Sequence, residues 1–201
     1  VDIDLQTYFT SSLLPSSPAP GFSDNFDRTP GPLGKTSGEG RDWKYFSSDA
    51  VANWQITASG RARLASGGGL NIAAVDSFAS DGTLALQFMA NSGSNTHSGP
   101  AFRVQDINNH YFIQQPTAAE GIVLYVRVAG VATRIYTGTT TLKANDIVSV
   151  TLQGTTISVA VNGTTKFTVT DSTFVGETRH GIFTNNDSTG YEWDNASFTA
   201  A

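Results

Sequence analysis

The sequence predicts an all-β fold built as a two-sheet sandwich. Three observations point there. Short runs alternate apolar and polar residues with a period of two. Turn residues interrupt these runs at the spacing expected of a sandwich. No stretch keeps a helical period beyond one or two turns. Composition agrees, because charged residues make up only 14% of the chain and Gly alone supplies 20 positions. A chain rich in Gly, Thr, Ser and Asn favours strands and turns over helices.

Residues 1–21 form the first element and differ from the rest. Pro15, Pro18 and Pro20 close the segment as an extended linker. Before them come Ile3, Leu5, Tyr8, Phe9, Leu13 and Leu14, too many apolar residues for an inert tail. They either pack back on their own domain or form an arm that docks on a neighbouring subunit. The sandwich domain is expected over 22–201.

Within it, strands are expected at 22–28, 42–47, 53–60, 61–66 and 83–91. SGGGL (66–70) is Gly-rich and reads as a loose connection, since no helix follows it to complete an anion site. AFRVQD (101–106) and HYFIQQ (110–115) meet at an Asp-Ile-Asn-Asn turn. IVLYVRVA (122–129) and TRIYTG (133–138) meet at Ala129-Gly130. Alternation is clearest further on. Val148, Val150 and Leu152 share one face of 147–154, and Ile157, Val159 and Val161 share one face of 156–162. Asn162-Gly163 then marks a type I′ hairpin, whose two central residues need positive φ. LKANDIV (142–148) is expected to turn where the chain crosses between sheets. Strands at 165–171, 179–185 and 191–199 complete the set.

The same residues bound the function. Cysteine is absent, so there is no disulfide framework and no thiol chemistry, which suits assembly in a reducing cytoplasm. A formal net charge of −5 argues against a nucleic-acid or anionic-membrane partner. No run of 18 apolar residues is present, so no membrane insertion is expected. The first twenty residues lack a basic start and a long apolar middle, so no signal peptide is expected.

Five pieces of the chain, in order, carry a family resemblance. They are FSDNFDRTPGPLG followed by a Trp, NWQITASGRARLAS, AFRVQDINNHYFIQ, ISVAVNGTTKFTVTDSTFVGETRHGIF and YEWDNASFT. Together they resemble the concanavalin A-like lectin/glucanase jelly roll in its small, LamG-like form, over roughly residues 22–199. The resemblance implies an antiparallel jelly-roll sandwich. The opening segment is similar to versions found in actinobacterial proteins and in minor tail or other virion proteins of their phages. That likeness implies a virion component carried by its N-terminal arm.

The glucanases of that superfamily use an E-x-D-x-E strand motif, and retaining hydrolysis needs two carboxyl groups about 5–5.5 Å apart. Glu39, Glu120, Glu177 and Glu192 form no such triplet. Glu192 and Asp194 share a strand face at i, i+2, but read as solvated acids at a strand end. His97, His110 and His180 are scattered and read as polar residues, the last two at strand ends. No Gly-x-Ser-x-Gly elbow is present. Many members of the superfamily hold a structural calcium near the chain ends. Here that would fall to Asp24, Asp27 and Asp194, on first and last strands expected to be neighbours. No metal is expected, since the same acids also fit a paired edge facing water.

Recognition is the chemistry best represented. Sugar sites combine aromatic platforms with planar donors. Alternation sets Arg103 and Gln105 opposite Phe102 and Val104, and Tyr125 and Arg127 opposite Leu124, Val126 and Val128. Arg134 and Tyr136 alternate with Ile135. If those strands adjoin, Arg103, Gln105, Tyr125, Arg127 and Arg134 line one solvated face. Tyr111 joins them if its register allows. Tyr125 and Arg103 are then expected to be replaceable without loss of stability. Trp43, Trp54 and Trp193 are expected to pack in the core or at an edge.

The expected function is therefore a non-catalytic virion protein of a phage tail or capsid. It would be present in many copies, bound to other virion subunits through its arm, and would present a face to host-surface carbohydrate. Three alternatives stay open: a purely structural decoration module, a glycan hydrolase with unrecognised acids, and a carbohydrate-binding module from a secreted or cell-surface bacterial enzyme.

Overall fold

The computed structural model describes residues 19–48, 53–90, 97–117, 119–185 and 190–201. The arm expected at 1–21 lies outside the described residues up to position 18. Among the described residues sixteen strands follow one another. They are β1 (Phe22–Asp24), β2 (Gly31–Pro32), β3 (Lys44–Ser47), β4 (Asn53–Ile56), β5 (Ala62–Ser66), β6 (Leu70–Asp76), β7 (Gly82–Ala90) and β8 (Ser98–Asp106). The chain continues with β9 (Asn109–Gln114), β10 (Val123–Val128), β11 (Val131–Thr137), β12 (Ile147–Gln153), β13 (Thr156–Val161), β14 (Thr164–Thr170), β15 (Arg179–Asn185) and β16 (Glu192–Ala200).

Two antiparallel sheets pack face to face, as expected. One runs β14-β13-β12-β7-β16-β5-β4-β2, with β1 also paired to β16 to give nine strands; the other runs β11-β10-β9-β8-β15-β6-β3. The core between them takes Val148, Val150 and Leu152 from β12 and Ile157, Val159 and Val161 from β13, the faces that alternation assigns. Trp43, Trp54 and Trp193 are all buried in it. The Asn162-Gly163 turn has φ of 53° and 74°, as a type I′ hairpin requires. The Ala129-Gly130 turn has 47° and 84°. Residues 142–148 turn at Asn145, with Asp146 N–H donating to the Lys143 carbonyl. They carry the chain from β11 in one sheet to β12 in the other.

Two features depart from expectation. The first is β6, which begins at Leu70, inside the segment read as a loose connection. Its burial pattern reads iBBBBBi. LNIAAVD does not alternate because the strand is buried on both faces, where a near-continuous apolar run replaces alternation. The second is a bulge in β8. Pairing with β9 shifts between Phe102 and Asp106, and Arg103 takes a φ of 48°. The irregularity turns Arg103 inward and leaves Val104 on the outer face.

Arg103 is therefore not on a solvated face. It is fully buried and ties the sheets together. Its Nη2 donates to the Gly154 carbonyl at 2.6 Å and to Asp81 Oδ1 at 3.0 Å, and its backbone N–H donates to His180 Nδ1 at 3.3 Å. His180 does stand near the end of a strand, as the second residue of β15, but not in water. It is fully buried and stacks on Phe198, centroids 4.1 Å apart and planes 5° from parallel. Because Nδ1 accepts, Nε2 carries the proton and donates to the Ala79 carbonyl at 3.1 Å. Burial lowers the pKa of this imidazole to about 3.

Candidate functional site

The two outer faces of the sandwich differ. On the nine-stranded sheet, Thr168, Ser158, Thr151, Thr83 and Thr199 lie in register across five strands. Their hydroxyls bond to one another at 3.0 Å (Thr83 to Thr151) and 2.9 Å (Ser158 to Thr168). An open depression of about 440 Å3 on this side is lined by Ser23, Asn25, Ser37, Asn195 and Ser197 among others. Its lining is short hydroxyls, amides and Asp24, with no aromatic platform.

The outer face of the seven-stranded sheet holds aromatic rings and arginines. On β9–β10–β11 the register sets Tyr125 beside Phe112 on one side and Arg134 on the other. The Tyr125 and Phe112 rings stack at 4.7 Å, 2° from parallel, and Phe112 stacks in turn on Phe183 at 4.2 Å. The Arg134 guanidinium lies 5.7 Å from the Tyr125 ring centroid and pairs with Glu120 at 2.6 Å. That hydrogen bond to Glu120 holds Arg134 still more firmly in its charged form. Arg127 lies two residues further along β10, opposite His110, and burial lowers its pKa.

Of the six residues proposed from sequence, the structure thus brings Tyr125, Arg127 and Arg134 together. It does not bring Arg103, which the β8 bulge turns inward. It does not bring Tyr111, which points into the core, stacks on Phe102 at 5.3 Å and donates its hydroxyl to Asp171 at 2.5 Å. Burial, with the Asp171 bond second, pushes that phenol up to about 12. Gln105 is exposed beside the β8–β9 turn and outside the group. Tyr125 itself is only 7% exposed, so its ring backs Arg134 instead of standing free as a platform. Neither Tyr125 nor Arg103 is a solvated residue that can be removed without cost to stability.

Sequence reasoning missed Phe112, His110, Glu120 and Phe183. β9 and β15 are buried on both faces, so period-two alternation carries no signal there. His110 is fully buried against Phe112 and Phe183, and burial holds its pKa near 4. The signal for Glu120 is its place in the loop between two paired strands, which the pattern of residues alone does not locate in space.

The acids at the chain ends are arranged differently from a metal site. β1 does pair β16, with Asp24 opposite Ala196. Asp194 is close enough to Asp27 and Asp24 that both add to the upward push that burial gives its carboxyl. Both oxygens of Asp24 are already committed, however. They accept from Phe26 N–H at 2.9 Å, from Arg28 at 2.6 and 3.0 Å, and from Trp43 Nε1 at 2.7 Å. The Arg28 guanidinium supplies the positive charge that a calcium would, so these residues do not fit a calcium ion. Among the described residues no group of three or more His, Cys, Asp or Glu is placed to hold a metal. Glu192 shares the outer face of β16 with Asp194 and is bound by Arg61 at 3.1 Å and Arg63 at 4.0 Å.

No protein-family model matches the chain, and no curated protein matches it in sequence. Solved structures do. The carbohydrate-binding module CBM66 from Bacillus subtilis superposes with a TM-score of 0.59 at 17% identity, over 78% of this chain and 95% of that one. The β-glucanase of Bacillus licheniformis gives 0.61 at 13% identity, over 90% and 99%. The GH43 protein BlXynB of the same organism gives 0.64 at 15%, over 89% of this chain but 39% of its own. At these identities the likeness shows the fold alone, the antiparallel two-sheet β-sandwich that this chain shares with those structures.

Proposed function

We propose that this chain is a non-catalytic glycan-binding module, and that its contact with sugar lies at the β10–β11 margin of the seven-stranded sheet. The observation that carries this reading is the Arg134–Glu120 pair held against Tyr125. Arg134 presents planar donors and Glu120 presents acceptors, and the two charges cancel. That combination suits the vicinal hydroxyls of a neutral sugar better than an acidic group. Val128 and Val131 are exposed at the adjoining hairpin tip and offer apolar contact for a pyranose face. The engagement of Glu192 by Arg61 and Arg63 supports a binding role over a hydrolytic one.

The setting we propose is a virion, in which other subunits hold the arm and many copies adhere through avidity. That part rests on the resemblance of FSDNFDRTPGPLG and on the arm alone. A second setting, a carbohydrate-binding module of a bacterial enzyme, is favoured by the extent of the CBM66 superposition. A glycan array probed with the full chain, run beside a reducing-end assay on the sugars it retains, tests the reading. Retention without release of reducing ends supports it, and release by the pure protein overturns it.

A further inference from the structure

Two short segments repeat one local geometry, Asp24-Asn25-Phe26 and Asp76-Ser77-Phe78. In each, the Asp Oδ1 accepts the N–H of the Phe two residues on, at 2.9 and 3.0 Å. In each, the Phe takes a left-handed backbone, with φ of 53° and 57°. An Arg guanidinium lies over each ring, Arg28 at 5.8 Å and Arg41 at 4.4 Å from the centroid. A bulky side chain is disfavoured in that region and persists there only where its surroundings offset the strain.

The two rings differ in what they gain. Phe26 is fully buried and packs on Trp43, centroids 5.8 Å apart. Burying an aromatic ring offsets the strain at that position. Phe78 is 52% exposed and belongs to neither apolar cluster of the sandwich. Core packing therefore does not account for a phenylalanine in this conformation. Strained residues of that kind collect at binding sites.

The surroundings of Phe78 indicate what would bind there. An open depression of about 260 Å3 is lined by Arg41, Asp42, Lys44, Asp76 and Phe78. Arg41 Nη1 donates to the Asp76 carbonyl at 3.2 Å, and Nη2 donates to the Ala19 carbonyl. The guanidinium is thus fixed, and it covers one face of the ring while the other meets solvent. Asp76 is fixed as well, since its Oδ1 also accepts from Thr178 Oγ1 at 2.8 Å. Asp42 and Lys44 are exposed at the rim. The lining carries two cations and two carboxylates, so it favours neither sign of ligand. An aromatic face ringed by donors and acceptors without net charge suits a neutral pyranose. The apolar C–H face of the sugar lies on the ring, and its hydroxyls meet the polar rim.

We propose that Phe78 is the platform of a second sugar contact, in the loop between β6 and β7 and separate from the Arg134 margin. The class of ligand rests on the reading of this chain as a glycan-binding module. The place of the contact rests on Phe78 alone. Five strand spacings of about 4.8 Å lie between β6 and β11, so the two contacts stand about 24 Å apart across the sheet. On a surface dense in glycan they act together, and loss of either weakens retention.

The test uses the full chain on an array of neutral oligosaccharides built from glucose, galactose and mannose. Phe78→Gly removes the ring and the strain together, and Phe78→Tyr keeps the ring. Retention at least about fivefold weaker in Phe78→Gly, at an unchanged melting midpoint, and restored in Phe78→Tyr is the expected result. Equal retention by Phe78→Gly and the parent overturns the proposal. So does a lowered midpoint in Phe78→Gly, because the ring then holds the fold. Self-association of the parent that Phe78→Gly abolishes also overturns it, since the ring is then a contact between copies. If Arg134→Ala weakens retention and Phe78→Gly does not, this inference falls and the margin stands. If Phe78→Gly weakens it and Arg134→Ala does not, the margin falls and this inference stands. A parent that retains no neutral glycan overturns both.

Discussion

Arg103 Nη2 lies 3.0 Å from Asp81 Oδ1, so a guanidinium from the seven-stranded sheet is tied to a carboxylate immediately before β7 of the nine-stranded one. The same nitrogen donates to Gly154, whose own N–H donates to Asp81 Oδ2 at 2.8 Å. Arg103→Met removes the charge and two close hydrogen bonds while keeping much of the side-chain volume. A loss of about 2–4 kcal/mol is expected by urea denaturation. The partial exposure of Asp81 keeps the figure below that of a fully buried pair. An unchanged midpoint contradicts the inter-sheet tie.

The buried imidazoles make the fold acid-sensitive. Burial lowers His110 to about 4 and His180 to about 3, against about 6.5 in the unfolded chain. A histidine depressed in the folded state contributes its full stability above pH 6.5 and loses it as pH falls toward the folded value. Each adds up to about 1.4 kcal/mol of loss per pH unit in that window. The thermal midpoint is expected to fall steadily from pH 6.5 to 4, and NMR titration should find both rings neutral at pH 5. A midpoint that is flat over this range contradicts the assignment.

Asp24 should behave as an internal anchor without metal. Chelator and added calcium are both expected to leave the thermal midpoint unchanged, because Arg28, Trp43 and the Phe26 amide already fill the carboxylate. Asp24→Ala strands the Trp43 N–H and the Arg28 guanidinium and should cost about 2–4 kcal/mol. A midpoint that drops with chelator and recovers with calcium overturns this.

Tyr125 and Arg134 should separate stability from binding. Tyr125→Ala removes a ring stacked on Phe112 and is expected to cost roughly 3 kcal/mol. Arg134 has a side chain 47% exposed, so Arg134→Ala should leave the denaturation midpoint within error of the parent. Equal destabilisation by both would misplace the margin.

How far the sequence carried the account depends on which sheet is considered. The nine-stranded sheet has one wet face, so Val148, Val150, Leu152, Ile157, Val159 and Val161 announce their side by alternation. At its centre the seven-stranded sheet is buried on both faces. HYFIQQ and RHGIFTN accordingly gave no face, LNIAAVD did not read as a strand, and Phe112 and Phe183 were not legible as partners of Tyr125. Tyr125, Arg127 and Arg134 are legible because LYVRV and TRIY alternate polar and apolar residues in sequence, on the edge strand β11 and its neighbour β10. Arg103 was misplaced because a single bulge reverses the parity of everything beyond it, and no residue in FRVQD marks the bulge.

The most direct test of the central claim compares the full chain with Arg134→Ala on one glycan array, with melting curves matched. Retention of neutral glycans by the parent, at least tenfold weaker in the variant at an unchanged midpoint and with no reducing ends released, is the predicted result. Equal retention by both proteins would contradict the claim that this sheet margin holds the sugar.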